Sequence, residues 1–288
     1  MGVGLTEKGR SRMEEQKKVI LTGSLVIVVV ALVVVVYYFF IRDRAKEALP
    51  VQEVVEEQAV QVPQEEPVAG EEAGEPLQVE LDKSDEVMRG LAGGLSTHQK
   101  LESWLKSKEL IRKFTAAVDN IANGLSPRPQ IDFFTPEGEF KVRVRNRRYY
   151  ADPAGYKRYD IVADVFSSLD AEQTVALYWR AKPLIQEAYG ELGYPDEDFN
   201  EALFGAIVEL LKVPVVRGDM LLERKVISYA IADPGLENLS EAQKYLLRMG
   251  PDNIQKIQDK LRELASALGV PENILPRSKV YLPVKRKS

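Results

Sequence analysis

The chain has 288 residues, with 39 Lys+Arg against 44 Asp+Glu, one His and no Cys. The absence of thiols excludes disulfides, cysteine nucleophiles and Cys-based metal sites, and a lone His98 excludes any two-His zinc motif. The net charge of −5 hides an uneven split: residues 45–86 hold thirteen acids against two lysines, whereas 87–288 hold 30 basic and 27 acidic residues, a balance that argues against a nucleic-acid binder.

Residues 1–18 are a basic leader carrying Lys8, Arg10, Arg12, Lys17 and Lys18. Val19 to Ile41 is a run of 23 residues without a charge. About 20 helical residues cross a hydrocarbon core of roughly 30 Å, so this run is long enough to span a bilayer with some tilt. It ends in Tyr37-Tyr38-Phe39-Phe40, an interfacial aromatic belt, where a cleaved signal peptide would need small residues. The run therefore reads as a signal anchor and single transmembrane helix. The far flank has only Arg42, Arg44 and Lys46. The Lys/Arg excess of the leader predicts a cytoplasmic N-terminus and a periplasmic C-terminal part at a bacterial inner membrane.

Residues 42–82 read as an acidic Pro/Glu-rich linker, too charged and too poor in aromatics to offset the entropy of ordering. A globular, mainly α domain with a small β-hairpin is expected over 83–269, and a basic tail over 270–288. Ser84 opens a short helix and Ser96 caps the next. Apolar positions from Leu101 to Ile121 recur at helical spacing with a break near Ser107, and Gly124 ends the run. His98 falls at the start of this stretch and reads as a surface or cap residue. Residues 140–145 alternate Phe140, Val142, Val144 with Lys141, Arg143, Arg145, and Asn146-Arg147 would turn the chain into a hairpin whose apolar side packs inward.

Asp152-Pro153 starts a helix running to about Ser168, and Asp170 caps a long one ending at Gly193, where the internal Pro183 predicts a kink or break. Pro195 and Asp196 are read as starting another helix. Residues 215–232 suggest short strands. Ser240 and Gln243 make a capping box, Pro251 sits at the first position of the last helix, and Gly269 follows its end.

No residue set names a reaction, so the chain reads as a non-enzyme with no implied cofactor. Leu110-Ile111-Arg112-Lys113-Phe114, Asp152-Pro153-Ala154, Leu192-Gly193-Tyr194-Pro195-Asp196 with Phe199-Asn200, and Leu246-Leu247-Arg248-Met249-Gly250-Pro251 with Asn253 are separated, distinctive motifs. On these the part from about Leu81 to Leu268 resembles a bacterial family catalogued as a domain of unknown function and usually membrane-anchored. The resemblance implies the anchor-plus-domain architecture and carries no activity.

Two groups of side chains are candidates for function. Asn120, Tyr194, Asp196, Asn200 and Arg248 would make a polar network, structural or lining a binding cleft. Lys141, Arg143, Arg145, Arg147 and Arg148 would make a basic surface. The partners expected are the lipid bilayer through Val19 to Ile41 and another envelope protein bound by a periplasmic adaptor or scaffold. The alternatives are a carboxylate-based hydrolase using Asp160, Asp164, Glu187, Glu191 and Asp196, or a binder of an anionic envelope polymer or lipid surface.

Overall fold

The computed structural model describes residues 74–131 and 138–283. The leader, the apolar run Val19 to Ile41, most of the acidic linker and the last five residues lie outside the described residues. Among the described residues no helix is long and apolar enough to cross a membrane.

The elements in chain order are α1 (Ser84–Gly93), α2 (Gln99–Trp104), α3 (Leu110–Ala122), β1 (Val142–Arg145), β2 (Arg148–Ala151), a 3-10 turn (Pro153–Tyr159), α4 (Asp160–Ser167), α5 (Ala171–Glu191), α6 (Phe199–Leu211), β3 (Val215–Val216), β4 (Leu221–Arg224), β5 (Tyr229–Ile231), α7 (Pro234–Glu237), α8 (Glu241–Leu247), α9 (Pro251–Ala267) and β6 (Val280–Tyr281). The fold is mainly helical with a small antiparallel sheet of order β1-β2-β4-β5.

Two apolar clusters hold it together. In one, Ile254, Ile257, Leu261 and Ala265 of α9 pack with Val162, Ala163 and Val165 of α4, Ile207 and Leu211 of α6, and Val215 and Val216 of β3. In the other, Ile111 and Val118 of α3 meet Tyr178, Ala181, Ile185 and Tyr189 of α5 and Phe199, Ala202 and Ala206 of α6. Helix α6 contributes its two faces to the two clusters, which is why most of its residues are apolar and not a single stripe of them.

The local signals behave as their chemistry dictates. Ser240 and Gln243 form the reciprocal capping box of α8. Asp170 accepts from Gln173 N at the start of α5, and Gly124 and Gly269 end their helices at φ 69° and 79°. The Asn146-Arg147 turn is present, with both residues left-handed. Other readings need correction. Of the kink or break expected at Pro183 the break is absent: helix α5 is continuous through this exposed residue, held on either side by buried Ala181, Leu184, Ile185 and Ala188. Helix α6 starts at Phe199, because Asp198 rather than Asp196 accepts from Asn200 N. His98 itself is the cap of α2, its Nδ1 accepting from Lys100 N, while Ser96 Oγ accepts from His98 N. Helix α3 lacks a cap of its own. Asp85 of α1 supplies it, accepting from Glu109 N at 2.8 Å and Leu110 N at 2.9 Å.

The folded part also extends past both expected ends. Leu77 N donates to Arg180 O at 2.9 Å and Leu81 is buried, so residues 77–82 belong to the domain and not to the linker. At the other end Leu275 is buried and β6 pairs in parallel with β3 through Val215↔Val280 and Val216↔Tyr281. Residues 270–283 are therefore not a free tail, because the extended edge of β3 offers backbone partners that no local pattern announces. Buried Gln258 ties this region together, donating to Leu210 O, Leu211 O and Val213 O at 3.0, 3.4 and 2.8 Å.

Candidate functional site

Three elements converge on a polar concavity of the domain. The 3-10 turn supplies Tyr156, Arg158 and Tyr159, helix α8 supplies Lys244, Tyr245 and Arg248, and the segment after α3 supplies Arg128. The turn forms because Asp152 accepts from Ala154 N and Pro153 fixes the first φ. It is held against α9 by buried Asn253, whose Nδ2 donates to Tyr156 O at 3.3 Å, Asp160 Oδ1 at 3.0 Å and Met249 O at 3.0 Å. Lys244 and Arg248 lie four residues apart and so share one face at the end of α8.

The concavity is two adjoining clefts that share Arg158, Lys244 and Arg248. One, of about 400 Å³, has an apolar wall including Phe140, Tyr156, Met220 and Tyr229. The other, of about 510 Å³, is polar and adds Ser126, Arg128, Glu241 and Tyr245. The two contain Arg128, Arg158, Lys244 and Arg248 against Glu237 and Glu241. Glu237 is already used, accepting from Ile231 N at 2.7 Å and lying 3.9 Å from Lys244 Nζ. Arg158 is fixed by Nη1 to Gly138 O at 3.0 Å and Nη2 to Tyr159 Oη at 3.1 Å, and its buried Nε has no hydrogen-bond partner. Burial pushes the Tyr245 phenol up, and nearby Tyr159 pushes the same way, while Arg128 and Arg248 oppose it. The last two guanidinium groups therefore bear on the same point. A planar, permanently charged fork of this kind suits carboxylate or phosphate oxygens.

Of the five residues expected in one polar network, only Arg248 reaches these clefts. Asn120 donates to Gln130 Oε1 at 2.9 Å. Asn200 accepts from Tyr178 Oη at 2.5 Å and is tied to Asp198. Tyr194 stacks on Tyr189 with ring centres 4.8 Å apart, and Asp196 is exposed. The five do not come together, because Asn120, Asn200 and Tyr194 each engage a different neighbour. The basic hairpin is exposed from Arg143 to Arg148, and Asp219 pairs with both Arg143 and Arg145 at 2.6 Å. Lys141 is exposed at its base. Val144 is 63% exposed, against the expectation that it packs inward, since β1 is an edge strand.

The carboxylates proposed from sequence for hydrolysis line neither cleft. Asp160 accepts from Asn253, Asp164 pairs with Lys256 at 2.6 Å, and Glu191 pairs with Arg112 at 2.6 Å. Among the described residues no cluster of His and acids could hold a metal ion. A separate apolar hollow of about 320 Å³ lies between α1, α2, α3 and α5, lined by Met88, Trp104, Ile111, Phe114 and Leu177. It offers almost no polar group to orient a ligand. Arg128, Arg158 and Lys244 were not legible as site residues. The only local hint was the four-residue spacing of Lys244 and Arg248.

Residues 110–265 match the model of a family described as protein of unknown function (DUF3014). No curated protein and no solved structure matches the chain.

Proposed function

The chain belongs to the DUF3014 family, and for this member we propose a binding module, tethered to the bacterial inner membrane, that grips an acidic segment of another envelope protein. The observation that carries this reading is the convergence of Arg128, Arg158, Lys244 and Arg248 on two adjoining clefts, one of which has an apolar wall. An acidic peptide supplies carboxylates for the guanidinium forks and side chains for the wall. The anchor remains the uncharged run Val19 to Ile41, with the leader in the cytoplasm and the domain in the periplasm, on the grounds of length and Lys/Arg distribution. The hydrolase alternative has less support, because Asp160, Asp164 and Glu191 are engaged in structural pairs.

The test is site-specific photo-crosslinking in membranes that contain the full chain. A photoreactive residue at Glu241, inside the polar cleft, is expected to give discrete protein adducts that disappear in the Arg248→Glu background and weaken with salt. The same residue at exposed Glu187, which lines neither cleft, is expected to give none of them. Adducts that ignore Arg248→Glu would overturn the reading. Topology is checked by fusing one reporter active only in the periplasm, and one active only in the cytoplasm, to the C-terminus.

A further inference from the structure

The sheet brings two turns to one end. Arg145↔Arg148 is the last pair of the β1–β2 hairpin, and β2 pairs with β4 through Tyr149↔Leu222 and Tyr150↔Leu221. With Arg224↔Tyr229 closing β4 against β5, the Asn146-Arg147 turn and the turn at residues 225–228 project from the same edge. Lys225 N donates to Ser228 O at 2.9 Å, which leaves Val226 and Ile227 at the apex. They are 97% and 96% exposed.

Nothing in the fold requires these residues. Tight turns draw Gly, Asn, Asp or Pro, and two β-branched residues at an apex serve neither the turn nor the core. Arg147 is a similar case. It occupies a left-handed position (φ 59°) that glycine would fill at lower cost. Arg147, Arg148, Arg224 and Lys225 are all exposed at this edge, and the one acid among them, Glu223, pairs with Lys225 at 3.2 Å. An apolar apex with cations immediately behind it matches the depth profile of an anionic bilayer, where acyl chains lie beneath a layer of phosphates. A protein hot spot would instead be expected to sit in a well-packed, desolvated pocket, and Val226 and Ile227 are almost wholly exposed.

We propose that the paired turns dock on an anionic phospholipid surface, with Val226 and Ile227 entering the interface and Arg147, Arg148, Arg224 and Lys225 meeting lipid phosphates. This contact is separate from the cleft reading. Ile227 also borders the apolar cleft, so Val226 is the position to probe.

The chain has no Cys, so Val226→Cys can be labelled with one environment-sensitive dye in the full chain, reconstituted with vesicles of phosphatidylcholine alone or mixed with phosphatidylglycerol. The dye is expected to report an apolar setting, and to be quenched by spin-labelled lipid, only when phosphatidylglycerol is present. High salt is expected to reverse both signals, while a dye at Glu187→Cys stays aqueous in either vesicle. Adding Arg147→Gln, Arg224→Gln and Lys225→Gln should lower the docked-to-free ratio by roughly a hundredfold. A dye at 226 that stays aqueous, that enters both vesicles equally, or that is shielded only when envelope proteins are added overturns the proposal. None of these substitutions touches Arg128, Arg158, Lys244 or Arg248, so the crosslinks from Glu241 report separately on the cleft.

Discussion

Gly250 is the position where one methyl group should do the most damage. It joins α8 to α9 at φ 86° and ψ 164°, a region open essentially to glycine alone. A Cβ there would lie 2.4 Å from Tyr156 Cγ, 2.6 Å from Cδ2 and 2.7 Å from Cβ. Neither the root of the ring nor the backbone beneath it can give way easily, because Asn253 holds Tyr156 O. The backbone strain is about 1–3 kcal/mol and the overpacking about 1–3 kcal/mol. Gly250→Ala should therefore cost about 2–6 kcal/mol, a large share of the roughly 5–15 kcal/mol that a domain has. At about 2–4 °C per kcal/mol for a domain of this size, the midpoint should fall by roughly 4–24 °C. Urea unfolding of the full chain, followed by the fluorescence of Trp104 and Trp179, measures the loss. Tyr156→Ala in the same chain should remove the contacts with Cγ and Cδ2 and leave the Cβ contact and the backbone part, so the double variant should be more stable than the sum of the single losses. A Gly250→Ala protein within about 0.5 kcal/mol of the parent would refute the reasoning, and equally so would strict additivity with Tyr156→Ala.

The other predictions concern groups that serve distant backbone. Asp85→Ala removes both acceptors at the start of α3 and should cost about 1–2 kcal/mol in urea unfolding, with faster amide exchange at Glu109 and Leu110. Gln258→Leu takes the side-chain donor from Leu211 O and Val213 O in a wholly buried place, while Leu210 O keeps Val213 N at 3.3 Å, and a loss of about 2–4 kcal/mol is expected. An unchanged urea midpoint would count against either assignment. Hydrogen bonds from Arg112 hold the Glu191 carboxyl below its ordinary range, with the Arg112 charge helping and desolvation and Asp82 opposing. Because the folded-state value is the lower one, this pair stabilises the fold above the unfolded-state pKa, and the contribution is lost as pH falls through the folded value. Arg112→Gln should flatten the acid limb of stability between about pH 5 and pH 3, as read from urea midpoints across that range.

What the sequence disclosed is local in origin. The capping box of Ser240 and Gln243, the cap at Asp170 and the left-handed turn at Asn146 are satisfied within a few residues, so the pattern contains its own explanation. The break between α2 and α3 near Ser107 was legible for the same reason. What it concealed depends on partners far along the chain. Asp85 caps a helix 25 residues away, and β6 returns to β3 across α7, α8 and α9. Asp196 and Asp198 look equally fit to cap α6, and only the register of the turn after Gly193 decides for Asp198. The cationic clefts draw their four basic residues from three elements, and a lone Arg128 or Arg158 has no periodicity to betray it. The motif residues Asn120, Tyr194 and Asn200 attracted attention as a set, yet each is explained by its own neighbour.

Arg112 has a mechanical consequence. Its guanidinium binds Asp82 at 2.7 Å and Glu191 at 2.6 Å, directly after the point where Leu77 N meets Arg180 O. Tension transmitted along the chain ahead of residue 74 would enter the domain here, through a short strap lying along α5. The strap would have to lose its bond to Arg180, the burial of Leu81 and the Arg112 clamp before strain reached α6, α9 or the clefts. These contacts all lie on α3 and α5, so the side chains lining the clefts would keep their places until the strap had given way.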